Sequence, residues 1–177
     1  MRTKLTIFGI VFPVVMVLDL ITKRWALEAL AAQRGDLLGL IPLTLAFNRG
    51  AAFGISVGDD SRWLFVPITF AALGLLAYLL RQTEVRDYTR ILAISLVVSG
   101  AVGNLYDRVR WSRGVVDFIG PIDLGIYDFP IFNVADIAIS CGAVLLAWSF
   151  LMEERADRLA AAATGSGEGE PREEPAP

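Results

Sequence analysis

Four long apolar stretches constrain this 177-residue chain more than any other feature of its sequence. They run over residues 5–21, 63–80, 91–106 and 131–152. Each is close to the roughly 20 residues that an α-helix needs to cross a hydrocarbon core about 30 Å thick. Hydrophobic residues make up 55% of the chain, whereas soluble domains contain about 45–50%. The sequence therefore predicts an all-α polytopic membrane protein with four transmembrane helices.

Polar segments between these stretches define the predicted domain organisation. Residues 1–152 form one membrane domain with loops over 28–62, 81–90 and 107–130, and residues 153–177 form a charged tail predicted to be disordered. The first loop contains the alternating run LTLAF at 43–47, followed by Gly50 and Gly54. Alternation bounded by glycines is typical of a β-strand and its turn. We therefore expect a small extracytoplasmic β-element between spans one and two.

The distribution of basic residues decides the predicted orientation only weakly. Four spans place both termini on one side, and the raw count of Lys and Arg is equal on the two sides. The short 81–90 loop carries Arg81, Arg86 and Arg90, as cytoplasmic hairpins often do. Cytoplasmic termini are therefore favoured. The first stretch is expected to remain as a span, because no small-residue cleavage site follows it directly.

The absence of histidine removes several kinds of chemistry. Nucleophile pairs that depend on histidine and zinc sites built on histidine are excluded within this chain. The single cysteine, Cys141, can form neither an internal disulfide nor a cysteine metal cluster. The net charge is −3 and no long basic run occurs, so we expect no nucleic-acid partner. Catalysis, if any, depends on carboxylates, amines, hydroxyls or backbone groups.

The polar residues inside the spans converge on one membrane face. Because the chain crosses the membrane four times, the C-terminal ends of spans one and three and the N-terminal end of span four lie on the same side. Ionisable residues inside spans are costly and by default indicate function. The residues concerned are Asp19, Thr22 and Lys23 in span one, Gly100, Gly103, Asn104 and Asp107 in span three, and Asn133, Asp136 and Ser140 in span four.

Asp117 and Asp136 are the best candidates for a catalytic pair. Asp136 lies within the fourth apolar stretch without a neighbouring cation in sequence, and Asp117 lies in the apolar run VVDFI. Each must be protonated, partnered or in contact with water. Two carboxyl groups in a site of low dielectric tend to share one proton, as in aspartic proteases. That mechanism needs no metal and no cofactor.

Other interpretations of the same residues remain open from sequence alone. Asp19 and Asp107 have neighbouring cations, Lys23 and Arg108, which suit substrate binding, support or simple ion pairs at helix ends. The span-three glycines and Asn104 can also serve helix packing and interhelical hydrogen bonding. A proton-coupled transporter is the alternative function, but it would place polar groups through the whole depth of the bundle.

Five motifs, in this order, make the chain resemble lipoprotein signal peptidase, also called signal peptidase II. They are DLITK at 19–23, FNRGAAF at 47–53, GAVGNLYDR at 100–108, GVVDF at 114–118 and FNVAD at 132–136. The resemblance covers most of residues 5–152. The stretch from Asp107 to Asp117 is one residue longer than in the usual pattern, and Gly114 lies closer to Asp117. The G-x-G-D string of presenilin-type and prepilin peptidases is absent from the sequence.

The resemblance implies a multi-pass aspartic endopeptidase of the bacterial inner membrane. Such enzymes cut signal peptides from prolipoproteins just before a diacylglyceryl-modified cysteine, so lipid-modified precursors and membrane lipids are the expected partners. Cytoplasmic termini and a site at the extracytoplasmic face are also implied, with no cofactor. Asp117 and Asp136 match the catalytic pair. The positions that match the lining or support of the substrate site are Asp19, Lys23, Asn48, Gly103, Asn104, Arg108 and Asn133.

Overall fold

The computed structural model describes residues 2–50 and 62–165 of the chain. Within these residues, four α-helices account for the four apolar stretches. They are α1 (Arg2–Ala29), α2 (Arg62–Gln82), α3 (Tyr88–Arg110) and α4 (Val134–Gly165). Each is long and apolar enough to cross a membrane. The predicted fold class is therefore confirmed.

Helix α3 lies at the centre of the bundle and packs against α1, α2 and α4. Half of its most apolar stretch is buried within the protein, compared with 6% for α1 and for α2. The outer helices therefore face lipid, whereas α3 can carry polar side chains. Ser95 and Ser99 are buried on it, and their hydroxyls donate to the backbone carbonyls of Ile91 and Ser95 over 2.7 and 2.6 Å.

Glycines allow α3 and α4 to approach closely. A Cβ atom at Gly100 would collide with the backbone carbonyl of Ala135 and lie 2.8 Å from Cγ1 of Ile139. On the other helix, a Cβ atom at Gly142 would lie 2.6 Å from Cγ2 of Val97. Small residues at such contacts are typical of helix pairs in membranes, where close packing replaces the hydrophobic effect.

Replacing Gly100 by alanine is expected to lower stability by about 1–3 kcal/mol, because the added methyl group must push α4 away. Gly74→Ala in α2 is the matched control, since a Cβ atom at Gly74 would have no heavy atom within 4 Å. Alanine is also the better helix former, so the control should be neutral or slightly stabilised. Thermal unfolding of both variants in detergent checks this. Equal stability of the two variants would contradict the packing argument.

Five short strands lie at the end of the bundle that holds the end of α1 and the start of α4. They are β1 (Gly35–Leu37), β2 (Ile41–Asn48), β3 (Val115–Ile119), β4 (Ile122–Asp123) and β5 (Asp128–Phe129). Strands β1, β2 and β3 form an antiparallel sheet in that order, and β4 pairs with β5 in a separate hairpin. The sheet packs on the last turns of α1 through a buried cluster of Ala26, Leu30, Leu43 and Phe118.

The sheet is larger than the sequence predicted. The expected β-element between spans one and two is present as β1 and β2, but its third strand, β3, comes from the loop between α3 and α4. This pairing joins segments that are distant in sequence, so no local pattern indicates it. Its consequence is functional, because β3 brings Asp117 into contact with β2.

The predicted tail (153–177) and the FNRGAAF motif (47–53) are described by the structure only in part. Helix α4 continues to Gly165, so the first part of the 153–177 tail is helical. The rest of that tail, residues 166–177, lies outside the described residues. So does the end of the FNRGAAF motif, together with the rest of residues 51–61.

Candidate active site

Asp117 lies on β3, where four of the five strand positions are buried. Its backbone is paired with Ala46 of β2. Asn133 Nδ2 donates to Oδ1 of Asp117 over 2.7 Å, and the Asn48 side chain also forms a hydrogen bond with this carboxyl group. Asn48 is itself fixed, because its Oδ1 accepts from the backbone N–H of Gly50 over 2.8 Å. Two amides therefore hold the Asp117 carboxyl group in place.

Asp136 lies in the first turn of α4 and forms a reciprocal cap with Asn133. The N–H of Asp136 donates to Oδ1 of Asn133 over 2.9 Å, and the N–H of Asn133 donates to Oδ2 of Asp136 over 3.1 Å. This is the capping-box arrangement, with Asn and Asp in the two capping positions. The cap therefore fixes the position of the Asp136 carboxyl group at the N-terminal end of α4.

Asn133 therefore contacts both aspartates and fixes their relative position. The residue is completely buried. Its amide oxygen accepts the N–H of Asp136 at the start of α4, and its amide nitrogen donates to Asp117. Both polar atoms of the side chain are therefore hydrogen-bonded. The two carboxyl groups lie close enough for the charge of Asp136 to act on Asp117.

The environment of Asp117 changes its acidity. Burial raises the pKa of the Asp117 carboxyl group to about 7, and the negative charge of Asp136 acts in the same direction. Hydrogen bonds from Asn133 and Asn48, together with the charge of Lys23, oppose this shift without cancelling it. Near neutral pH the proton is therefore held on Asp117 for a substantial fraction of the time.

A buried lysine organises the charges beneath this pair. Lys23 Nζ lies 2.8 Å from Oδ2 of Asp19 and 3.0 Å from Oδ2 of Asp107, and all three side chains are almost fully buried. Asp107 forms its ion pair with Lys23, which lies on α1 and faces α3. The neighbouring cation noted from the sequence, Arg108, also interacts electrostatically with Asp107.

Asn104 connects this charge cluster to the aspartate pair. Its Oδ1 accepts from Lys23 Nζ and from Asn133 Nδ2, each over 3.1 Å. Its Nδ2 donates to Oδ1 of Asp136 over 2.8 Å. The position of Asp136 is thus determined from two sides, by its own helix start and by an amide on α3.

Backbone groups complete the network. The N–H of Ala135 donates to Oδ1 of Asp19 over 3.0 Å, and the N–H of Val116 donates to Oδ2 of Asp107 over 3.3 Å. The first contact ties α1 to the start of α4, and the second ties α3 to β3. Sequence reasoning missed both groups, because a backbone donor has no residue type that would reveal it.

Gly103 and Arg108 occupy the remaining predicted positions on α3. A Cβ atom at Gly103 would lie 2.6 Å from Oδ2 of Asp19, so glycine is required for the buried carboxylate to fit. The partly buried Arg108 guanidinium interacts electrostatically with Asp136 and Asp117. Its Nη1 donates to the backbone carbonyl of Asn104 over 3.4 Å, and its Nε is buried without a hydrogen-bond partner among the described residues.

The unusually long stretch before Asp117 is anchored on the sheet. The Arg113 guanidinium carbon lies 4.3 Å from the ring centroids of both Phe47 and Trp111, which are cation–π contacts. Gly114 follows with φ +94°, a backbone conformation that favours glycine, and a Cβ atom there would collide with the Asn48 carbonyl. These contacts hold the stretch before β3 against β2, and Asp117 lies opposite Ala46 of that strand.

The structure brings all ten predicted site residues into one network or its immediate surroundings at one end of the bundle. Asp123 and Asp128 lie outside this network on the β4–β5 hairpin, and Asp123 accepts the Gly125 N–H in a turn. The arrangement offers two carboxyl groups of unlike environment, an amide bridge between them and a nearby guanidinium. It is suited to proton transfer and to hydrogen bonding with a peptide carbonyl.

Comparison with known proteins gives consistent matches along the chain. The sequence model of the family described as Signal peptidase (SPase) II matches residues 11–152. A Maridesulfovibrio salexigens protein named Lipoprotein signal peptidase is 38% identical over 147 residues, covering 80% of this chain and 93% of that protein. A protein of the same name from Clostridium tetani is 37% identical over 143 residues, covering 78% and 88%.

Solved structures give the same picture. One described as a bacterial membrane enzyme has 31% sequence identity and a TM-score of 0.69, and the match covers 81% of this chain and 92% of that one. A second with the same description has 26% identity and a TM-score of 0.67, covering 94% of both chains. The similarity extends over all four helices rather than over a single motif.

Proposed function

The chain belongs to the signal peptidase II family, and from this premise we propose that Asp117 and Asp136 are the catalytic pair with which it removes signal peptides from prolipoproteins. The observation that carries this proposal is the Asn133 bridge. One buried side chain donates to Asp117 and caps the helix turn that holds Asp136, so the two carboxyl groups act as a unit. Each of the other charged site residues supports that unit.

The two aspartates have different roles in the proposed reaction. Asp136 serves as the general base that removes a proton from water, since its carboxylate is held in the first turn of α4 by hydrogen bonds from Asn133 and Asn104. The resulting hydroxide adds to the scissile carbonyl carbon, while protonated Asp117 donates a hydrogen bond to the carbonyl oxygen. When the C–N bond breaks, the proton held by Asp136 passes to the leaving amine.

The supporting residues hold this geometry in a membrane. Lys23 forms ion pairs with both Asp19 and Asp107 beneath the catalytic pair, and Asn104 links Lys23 to Asp136 through hydrogen bonds. Arg108 lies where its positive charge faces both carboxyl groups. We assign it to binding the substrate backbone near the scissile bond.

The proposed setting is the bacterial inner membrane, with both termini in the cytoplasm and the site at the extracytoplasmic face. The chain is a multi-pass membrane protein, and the arginines of the 81–90 loop favour this orientation. The proposed substrate carries a diacylglyceryl-modified cysteine just after the cut. Its acyl chains would lie among the membrane lipids and hold the scissile bond at the depth where the helices end.

The pH dependence of kcat/KM tests the assignment of the proton. Since burial and Asp136 raise the pKa of Asp117 to about 7, the protonated form is lost as pH rises through that value. We expect kcat/KM for a lipidated peptide to fall about tenfold for each pH unit above 7. Circular dichroism over the same range separates this from unfolding. A flat profile between pH 6 and about 9 would contradict the assignment.

A further inference from the structure

Two hairpin tips expose large apolar side chains beside the candidate active site. The first tip is formed by residues 37–40, between β1 and β2, and the second by residues 124–127, between β4 and β5. Leu38 and Leu40 are 87% and 82% exposed, and Ile126 is 97% exposed. Side chains of this kind are normally withdrawn from water, so clusters of them at loop tips indicate a surface that is covered in use.

The backbone of the first tip is arranged to present leucine. Leu38 has φ +57° and Gly39 has φ +71°, and the Leu40 N–H donates to the Leu37 carbonyl over 3.1 Å. Two successive positive φ values are typical of a tight hairpin turn in which Asn or Asp usually precedes glycine. Leucine in the left-handed region is strained, and such strain points to a role for the side chain.

The second tip is linked to the site through a chain of aromatic contacts. The Leu124 N–H donates to the Tyr127 carbonyl over 3.1 Å. Tyr127 packs edge-on against Phe129, and Phe129 packs edge-on against Phe132. Phe132 forms a β-bridge with Ile119, two residues after Asp117. A displacement of this tip would therefore be transmitted to the strand that carries Asp117.

Both hairpins are joined by short segments to the ends of membrane-spanning helices. Strand β1 begins at Gly35, shortly after α1 ends at Ala29, and β5 ends shortly before α4 begins at Val134. Trp25, in the last turns of α1, is partly exposed and packs against Phe118 of the sheet. Tryptophan is enriched at membrane–water interfaces, so the sheet continues the lipid-facing surface of α1.

We propose that the two hairpin tips insert into the interfacial region of the lipid leaflet at this end of the bundle. The occupant of the apolar surface is the bilayer itself, because the hairpins follow or precede membrane-spanning helices closely in the chain and the sheet packs on the partly exposed Trp25 at the end of α1. The carboxylates beside the tips are Asp36, which accepts the Gly39 N–H, and Asp123 and Asp128, which lie opposite each other on the second hairpin. They lie on the strands behind the tips, so they stay among the polar headgroups when the tips insert. Insertion at two points fixes the depth of β3, and with it the depth of Asp117.

Spin-label accessibility in liposomes tests the insertion without requiring activity. In a Cys141→Ala background the chain has no other cysteine, so Leu38→Cys and Ile126→Cys can each carry one nitroxide. The proteins are placed in vesicles of phosphatidylcholine and phosphatidylglycerol. Relaxation by lipid-soluble oxygen is then compared with relaxation by a water-soluble nickel chelate. Ile10→Cys on α1 is the lipid control and exposed Asp157→Cys on α4 is the water control.

Labels at positions 38 and 126 should give an oxygen-to-nickel ratio severalfold above that of Asp157→Cys and near that of Ile10→Cys. A ratio equal to that of Asp157→Cys would show that the tips lie in water, and would overturn the proposal. Spin–spin broadening between labels at position 38 would assign the tip to a second copy of the chain, and would overturn it as well.

A second measurement distinguishes an effect of the tips on the membrane depth of Asp117 from an effect on folding. The Leu38→Ser/Ile126→Ser variant should cleave a lipidated peptide severalfold more slowly than the wild type in vesicles. In detergent micelles, which impose no fixed depth, the two proteins should have equal rates. Equal rates in both settings would overturn the proposal, and so would equal losses in both.

Discussion

Replacing Asp136 by asparagine is expected to lower kcat/KM for a lipidated precursor by at least about 10³-fold, while the protein remains folded. The loss follows because general-base catalysis contributes about 10²–10⁴-fold and asparagine cannot accept the proton. Asparagine keeps only one of the two contacts, because the Asn133 N–H and Asn104 Nδ2 donate to different oxygens of Asp136 and the amide has a single oxygen. One unmade hydrogen bond costs about 1–3 kcal/mol, which the fold can absorb. Initial rates in vesicles, with thermal unfolding measured on the same samples, check both parts.

Asp128→Asn is the matched control for this substitution. Asp128 is an exposed aspartate of β5, on the same side of the bundle but outside the charge network, so its replacement should leave the rate unchanged. An Asp136→Asn protein that keeps more than about a tenth of the wild-type rate would show that Asp136 is not the base.

Replacing Lys23 by methionine is expected to destabilise the protein by about 3–5 kcal/mol, because it leaves two buried carboxylates without their shared cation. The Lys23 side chain is 4% exposed and lies within 3.0 Å of both Asp19 and Asp107. Methionine fills a similar volume, so the loss reports charge rather than a cavity. Denaturant unfolding in mixed micelles at neutral pH measures the difference.

The adjacent cation provides the control. Arg24 is 80% exposed and pairs with Glu28 over 2.9 Å on the surface of α1. Such pairs contribute about 0–1 kcal/mol, so Arg24→Met should be nearly neutral. Adding Asp107→Asn to Lys23→Met should recover part of the lost stability, since one uncompensated carboxylate is then removed. Equal stabilities of Lys23→Met and Arg24→Met would contradict the account of the buried network.

The sequence predicts the bundle well, because the physical cause of a membrane helix is local. About 20 apolar residues in succession leave the chain no other stable arrangement in lipid. The same order of spans also indicates that Asp19, Asn104 and Asp136 meet at one membrane face. Alternation in residues 43–47 indicates strand β2 for a similarly local reason.

Non-local features of the site could not be predicted in this way. The pairing of β3 with β2 joins segments separated by two helices, and nothing within either strand specifies the partner. Lys23 was expected to pair with Asp19, one helical turn away, but its second partner, Asp107, lies on another helix. The role of Asn133 as a bridge depends on the start of α4 facing β3, which only the tertiary structure provides. The catalytic roles of Asp117 and Asp136 stay predictions.

The most direct test of the proposed catalytic pair is mass analysis of the products formed from one lipidated peptide by wild-type protein and by Asp117→Asn, side by side in the same vesicles. The wild type should release a fragment that begins at the diacylglyceryl-modified cysteine. The folded Asp117→Asn protein should release none, because asparagine has no acidic O–H to offer the scissile carbonyl oxygen, and its amide N–H is a much weaker acid. The same fragment appearing at the wild-type rate from Asp117→Asn would contradict the account.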